Sequence, residues 1–418
     1  IKERVTETLG DLYGMHWPFK QHKTSRNQKK LPYHEELKKV GACFGVTAGY
    51  ERPMWFAING KAPRYEYSYN YQNWYPSVEY ETINTRKNVG LFDLTPFAKF
   101  ELKGEQSHPE LQRICTANIK HEKGRTTYTQ MLNKDGGIES DLTVVCLDKN
   151  YFRIVSSAAV RTRDKHHILK NLSSQVQFKD VTEDYACLGL FGPNSRDLVT
   201  EVAGNYFQTK DFPFANGKNI SIEGVKIWFQ RLSYVGELGW ELYIPVKEAK
   251  KIYNIIIEIG KKYKLCHAGV HAMDTLRMEK GYLHWGHDIS PEENQYEAGL
   301  NFTISFKKNV NFIGKDSLNK IKDKKPKKKL VMLSLKESKP GFPLILHDEP
   351  IYCNKKIVGR TTSGNYSFNY NKNIAFAYIE NKMEIFKQNL EIEVEKKKYK
   401  VILESTPLHD PENKTIKN

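Results

Sequence analysis

A lysine-rich run with a proline inside it, Lys322–Lys329, divides this 418-residue chain into two differently patterned parts. Pro326 lacks the N–H a helix needs, so the run reads as an exposed linker and not as a binding helix. Downstream the pattern is all-β: Leu330–Leu335, Ile351–Ile357, Arg360–Thr362, Ile374–Tyr378, Leu390–Val394 and Tyr399–Leu403 recur at a spacing that predicts a small barrel or sandwich. Upstream, strands and helices mix, and the whole is read as α+β followed by all-β. No GxGxxG follows any strand, which excludes a dinucleotide-binding domain within these residues.

The upstream pattern predicts a helix over Val5–Tyr13, a polar stretch His22–Lys30, and a helical segment Leu31–Gly41 closed by Gly41. Trp55 to Pro76 is dense in aromatics (Trp55, Phe56, Tyr65, Tyr67, Tyr69, Tyr71, Trp74, Tyr75) and reads as a loop packed as an interface or lid. A strand pair is expected over Val89–Gly104. Further strands are expected at Thr126–Met131, Leu142–Leu147, Tyr151–Val155, Tyr185–Phe191, Val225–Gln230 and Trp240–Ile244. Helices are expected at Arg161–Leu169, from Ser195, at Val246–Lys262 and at Gly269–Gly281. The expected division is 1–30, 31–325 and 326–418, with the mixed start at Ile1 reading as a cut end of something longer.

The formal net charge of +16 raises nucleic acid as a partner. The lysines are scattered over what should be solvated faces, so no nucleic-acid role is expected; the field would instead attract small polyanions, such as a cofactor with a glutamate tail. Without a run of about 18 apolar residues, no membrane partner is expected. Six widely spaced cysteines and no CxxC give neither a zinc site nor a disulfide framework, and point to reduced thiols in a cytoplasm or matrix-like compartment. His284 and His287 lack a third ligand at sensible spacing, so no metal is expected. No GxSxG is present, and no nucleophilic triad is indicated.

Two segments carry the chemistry. Gly136–Val145 and Leu232–Leu242 each run from a polar turn into an apolar strand and leave one carboxylate, Asp141 or Glu241, beside residues that should be buried. A charge next to a core is costly unless it is paired or has a ligand to hold. With Tyr234 seven residues before Glu241, the pair looks like a pocket for a polar aromatic molecule rich in N–H donors. The bland alternatives are a turn aspartate at 141, an ion pair of Glu241 with Arg231, and ordinary strand packing for Tyr128 and Tyr234. Gly136, Gly137, Gly236 and Gly239 read as turn residues needing positive φ.

Gly-Leu-Phe-Asp-Leu (90–94), Gly-Gly-Ile-Glu-Ser-Asp-Leu (136–142), Phe-Gly-Pro (191–193), Tyr-Val-Gly-Glu-Leu-Gly-Trp-Glu-Leu (234–242), Leu-Arg-Met-Glu-Lys-Gly (276–281), Phe-Ile-Gly-Lys-Asp-Ser-Leu (312–318) and Thr-Thr-Ser-Gly-Asn-Tyr-Ser (361–367) stand in the order of one family. In these the chain resembles the aminomethyltransferase (glycine-cleavage T-protein) superfamily over roughly 31–408. Ala48–Pro53 with Trp55-Phe56, Gln72-Asn73-Trp74, and Gly281–Trp285 make it most similar to the C-terminal half of dimethylglycine and sarcosine dehydrogenases.

The resemblance implies a multi-domain T-protein-like fold ending in a small β-barrel, with residues 1–30 as the tail of an upstream flavin domain. It implies a catalytic role for Asp141 and tetrahydrofolate binding by Tyr128, Tyr234 and Glu241. FAD is then expected in a segment upstream of Ile1, which would supply an iminium from an N-methyl amine for capture as 5,10-methylenetetrahydrofolate. In a eukaryote the compartment would be the mitochondrial matrix. Met273 departs from the arginine that transferase members often carry there, and suits a protein receiving its one-carbon unit from a flavin site instead of a lipoyl arm. A free-standing folate-dependent transferase and a non-catalytic regulatory subunit are the alternatives.

Overall fold

A computed structural model of the chain describes residues 2–418. Two large open sheets face each other, a two-stranded sheet of Ala42–Thr47 and Tyr50–Phe56 stands beside them and takes Trp55 and Phe56 out of the expected aromatic loop, and a closed barrel follows. The six-stranded sheet runs in the order Gly217–Ile222, Val225–Gln230, Gly239–Pro245, Tyr185–Phe191, Val89–Asp93, Leu265–His267. The five-stranded sheet runs Thr126–Leu132, Ile138–Asp148, Tyr151–Ser156, Ala98–Lys103, Gln177–Asp180. Six strands between Lys328 and Glu404 close the barrel, so of the barrel-or-sandwich choice the chain makes the barrel, which leaves no edge unpaired.

The inter-sheet layer follows from strand periodicity, since side chains alternate between faces. Val145, Val155 and Tyr151 of one sheet pack with Cys187, Trp228, Tyr243 and Phe92 of the other in a single apolar cluster. Every second residue beside them must then look into the same layer, which places Asp141 and Thr143 there from one sheet and Glu241 from the other. The opposite face of the six-stranded sheet packs Leu188, Leu242 and Trp240 against the helix Ala249–Gly260.

Several expectations are corrected. Val89–Asp93 and Ala98–Lys103 form no pair: they belong to different sheets. The Leu94 N–H donates to the Cys187 carbonyl and Thr95 Oγ1 accepts from the Cys187 N–H, pinning the chain where it turns from one sheet to the other. Ile351–Ile357 is not one strand but a hairpin, Pro350–Cys353 and Lys356–Ser367, because Asn354 and Lys355 take φ of 48° and 68° as a tight turn requires. Tyr75–Lys87 is a helix where the aromatic loop should be ending. Its buried face carries Ser77, Glu81, Thr82, Asn84 and Thr85, so it shows no apolar stripe to read. The remaining loop does pack as an interface: the Tyr67 hydroxyl accepts from Gln21 N at 2.9 Å, and Trp74 stacks on His271 with ring centroids 5.1 Å apart.

The barrel is joined to the rest through a buried polar node. Arg277, from the helix Val270–Lys280, donates to Asp274 at 2.8 Å, to Asp288 at 2.6 Å and to Ser363 of the barrel at 2.9 Å. Asp288 also accepts from Thr362, Ser363 and the His284 N–H, and Glu279 accepts from Ser367 and Asn369. No helix of the described residues is long and apolar enough to cross a membrane.

Candidate active site

Asp141 lies inside the strand Ile138–Asp148, not in the turn before it. Its cross-strand partner is Gln130, and two residues along, Thr143 faces Tyr128. Gln130 Nε2 donates to Asp141 Oδ1 at 2.7 Å. The amide cannot flip away, because its oxygen accepts from Gln295 Nε2 at 2.7 Å and from Thr303 Oγ1 at 2.5 Å. Gln295 is held in turn by Thr116 at 3.1 Å. Burial pushes the Asp141 carboxyl up to about 6, while the Gln130 amide and the Tyr128 hydroxyl, which favour the charged form, pull it back. No cation pairs with Asp141 among the described residues. Its carboxyl therefore exchanges a proton near neutrality, as an acid–base group requires.

Since the Gln130 bond favours the ionised form, Gln130→Met should raise the Asp141 midpoint further, by about one unit for a bond of about 1.4 kcal/mol. A carboxyl-carbon NMR titration checks it; an unmoved midpoint would mean that Gln130 is merely packed there.

Tyr234 reaches the same place from the other sheet's connecting turn. The Ser233 hydroxyl accepts from the Val235, Gly236 and Glu237 N–H groups, and Gly236 takes φ of 80°, which folds the turn back. The Tyr234 hydroxyl donates to the Leu283 carbonyl at 2.9 Å and its ring lies over Tyr282. Burial raises both tyrosines, and the Asp141 carboxylate adds to the rise of each. Tyr128 remains 37% exposed, with its ring 6.4 Å from Phe302, itself 74% exposed, so an aromatic rim marks the open side.

Glu241 is set apart from this trio but in the same layer. Its cross-strand partner Gln230 donates to Thr126 Oγ1 of the facing sheet at 2.6 Å. From Thr126 to the row of Gln130 and Asp141 is four residues, roughly 13 Å at the ordinary strand rise. Burial raises the Glu241 carboxyl, and the Tyr243 hydroxyl donates to its Oε2 at 2.7 Å. Arg231 is not its partner: that guanidinium is committed to the Phe212 carbonyl at 2.6 Å and to the Asn418 carbonyl. Glu241 Oε1 accepts no hydrogen bond among the described residues, and Asp141 meets only the Gln130 amide and the Tyr128 hydroxyl, so each carboxylate keeps lone pairs for a ligand's N–H.

Of the four glycines, only Gly136 and Gly236 have positive φ. Gly137 and Gly239 are glycine for lack of space: a Cβ would lie 2.0 Å from the Pro291 carbonyl oxygen and 2.2 Å from that of Leu190. The His284 and His287 rings lie close, with centroids 4.7 Å apart and planes tilted by 42°. Among the described residues, the three-residue grouping with ligand atoms within reach of one ion is Glu7, Asp11 and His22, where Lys20 and Thr24 already occupy the carboxylates. All six cysteines are unpaired and buried. Two small cavities, of about 20 Å³ around Trp74, His271 and Tyr366 and about 10 Å³ around Arg52, Asp93 and Met273, include none of the four predicted site residues. Gln130 and Tyr243, which position the two carboxylates, escaped the sequence reading; their only signal is the two-residue alternation that puts them beside Asp141 and Glu241.

Residues 33–308 match the GCVT N-terminal domain model and 328–410 the glycine cleavage T-protein C-terminal barrel domain. The whole chain is 35% identical to half of 4-methylaminobutanoate oxidase (formaldehyde-forming) of Paenarthrobacter nicotinovorans. Over 91% of the chain it is 32% identical to human mitochondrial sarcosine dehydrogenase, covering 45% of that protein. It is also 33% identical to an aminomethyltransferase of Halothermothrix orenii, over 84% of this chain and 91% of that one. The aminomethyltransferase T structure from Bartonella henselae superposes with a TM-score of 0.79 at 22% identity, over 92% of this chain and 98% of that one, and shares the fold. The chain spans about half the length of the dehydrogenase and oxidase relatives.

Proposed function

Because the chain belongs to the aminomethyltransferase (glycine-cleavage T-protein) family, with its closing barrel, and is related to sarcosine and dimethylglycine dehydrogenases, we propose that it binds tetrahydrofolate and performs the one-carbon capture of an FAD-dependent N-methyl amine dehydrogenase. The observation that carries this reading is the pair of half-buried carboxylates, neither in an ion pair among the described residues, that face one inter-sheet layer with acceptor capacity left for a ligand's N–H groups.

Bound tetrahydrofolate supplies the amine nitrogens that take up the one-carbon unit as 5,10-methylenetetrahydrofolate. Glu241 accepts hydrogen bonds from the N–H edge of the pterin, and Tyr243 holds its other oxygen so that the free one faces the ligand. Tyr234 and Tyr128 wall the ring and exclude water on two sides. Asp141 would receive the proton that a folate nitrogen loses when it bonds to the methylene carbon. It would return it to the amine nitrogen as the original carbon–amine bond breaks, the second folate nitrogen closes on the carbon and the demethylated amine leaves. Its elevated carboxyl suits it to hold that proton in between. The flavin, the iminium donor and a matrix or cytoplasmic setting belong to the whole protein of which this chain would be the folate-binding part.

A calorimetric titration of the chain with tetrahydrofolate tests the reading. Glu241→Gln should weaken binding roughly 10–100-fold, the worth of a charge-assisted hydrogen bond of about 1.5–3 kcal/mol. No binding by the unaltered chain would favour the regulatory-subunit alternative.

A further inference from the structure

Tyr234 owes its place to two neighbours and to the turn that carries it. Its hydroxyl rests on the Leu283 carbonyl and its ring on Tyr282, while the turn itself runs from Arg231 to Glu237. A connecting turn moves unless other parts of the chain tie it down. Residues 407–418, which follow the last barrel strand, lie against all four of these anchors.

Pro407 packs on Gly281, beside Tyr282, so closely that a Cβ there would lie 2.9 Å from its Cγ. Leu408 joins Leu283 against the apolar cluster of Met278, Met332 and Phe376. His409 Nε2 lies 2.8 Å from Glu237 Oε1, and the His409 N–H donates to the Glu279 carbonyl at 2.9 Å. Asp410 pairs at 2.9 Å with Lys280, the lysine whose stem lies against Gly236 of the turn. Asp410 Oδ1 then accepts from the N–H groups of Lys414 and Thr415, at 2.7 and 3.1 Å, and Ile416 is buried. Beyond it the Asn418 carbonyl accepts from both Arg231 and Arg196. Arg231 is fully buried, and its other acceptors are the Phe212 carbonyl and the Thr209 hydroxyl. Loss of the Asn418 oxygen would leave one of its buried N–H arms unpaired, which is costly.

We propose that residues 407–418 are a strap that positions Tyr234, with His409 and Arg231 as the positioning residues at the two ends of its turn. A ring fixed in this way is presented to a ligand already ordered, so binding does not bear the entropy of ordering it. Both residues act through the turn and not by touching the ligand. That the ligand is tetrahydrofolate rests on the function proposed above, whereas the positioning of Tyr234 does not.

Fluorine NMR of the 418-residue chain tests the strap, with 3-fluorotyrosine placed at Tyr234 or, as a control, at Tyr33. Tyr33 is fully buried in the cluster on the far face of the six-stranded sheet. His409→Leu and, separately, deletion of 413–418 should shift or broaden the Tyr234 signal and leave the Tyr33 signal in place. Movement of both signals, as general loosening gives, or of neither, would overturn the strap. Calorimetry with tetrahydrofolate supplies a second arm. Each change should weaken binding roughly threefold to tenfold, yet add less than about twofold in a Tyr234→Leu background, where the contact it supports is already lost. Full additivity would mean that the segment acts on stability and not through Tyr234. A chain that binds no tetrahydrofolate would reject the folate reading, and the fluorine comparison would still decide the strap.

Discussion

Asp141→Asn is expected to leave tetrahydrofolate affinity within a few-fold while lowering folate-dependent one-carbon capture about 10²–10⁴-fold, the usual worth of a positioned proton acceptor. Asparagine keeps the shape and can still meet Gln130, but it cannot take a proton. The comparison requires the chain joined to its source of iminium, with methylenetetrahydrofolate formation as the readout. Equal product formation by both proteins would remove Asp141 from the chemistry. Stability supplies a second signature. The folded carboxyl is raised from 3.8 to about 6. Its protonated form is therefore favoured on folding, a contribution fully present below about pH 4 and lost as pH rises through about 6. Asp141→Asn should gain relative to the unaltered chain between pH 4 and 8, by at most about 3 kcal/mol and less because the group is only partly enclosed.

Arg277→Met is expected to cost about 3–5 kcal/mol of stability, enough to lower the unfolding midpoint by several degrees or to prevent accumulation of folded protein. The methionine fills part of the volume, but Asp288, fully buried, loses the cation that balances it. Thermal and denaturant unfolding measure the loss. The double variant Arg277→Met with Asp288→Asn should recover part of it, since the stranded charge is gone; recovery near zero would mean that packing and not charge sets the cost.

Strands such as Tyr151–Ser156 and Gly239–Pro245 were legible because they are short runs rich in aromatic and branched apolar residues, as strands covered on both faces are. The helix Tyr75–Lys87 was illegible because it buries polar residues that bond to backbone, Glu81 above all, and so shows no periodicity. The partition of Val89–Asp93 and Ala98–Lys103 between two sheets depends on Cys187, nearly a hundred residues further on, which no local pattern contains. At the site the two carboxylates were legible because a charge amid apolar strand residues stands out. What holds them, Gln130, Gln295, Thr303 and Tyr243, are common residue types that become a network only when distant segments meet.

The oxygens of Asp288 are shared among Arg277 and His284 on one side and Thr362 and Ser363 on the other, with the Tyr378 hydroxyl on its carbonyl. Substitution at any of these positions in a lineage must be answered by its opposite numbers across the junction. The barrel and the region before it are thereby bound to change in concert, and a barrel borrowed from a distant cousin would arrive without the matching hydroxyls.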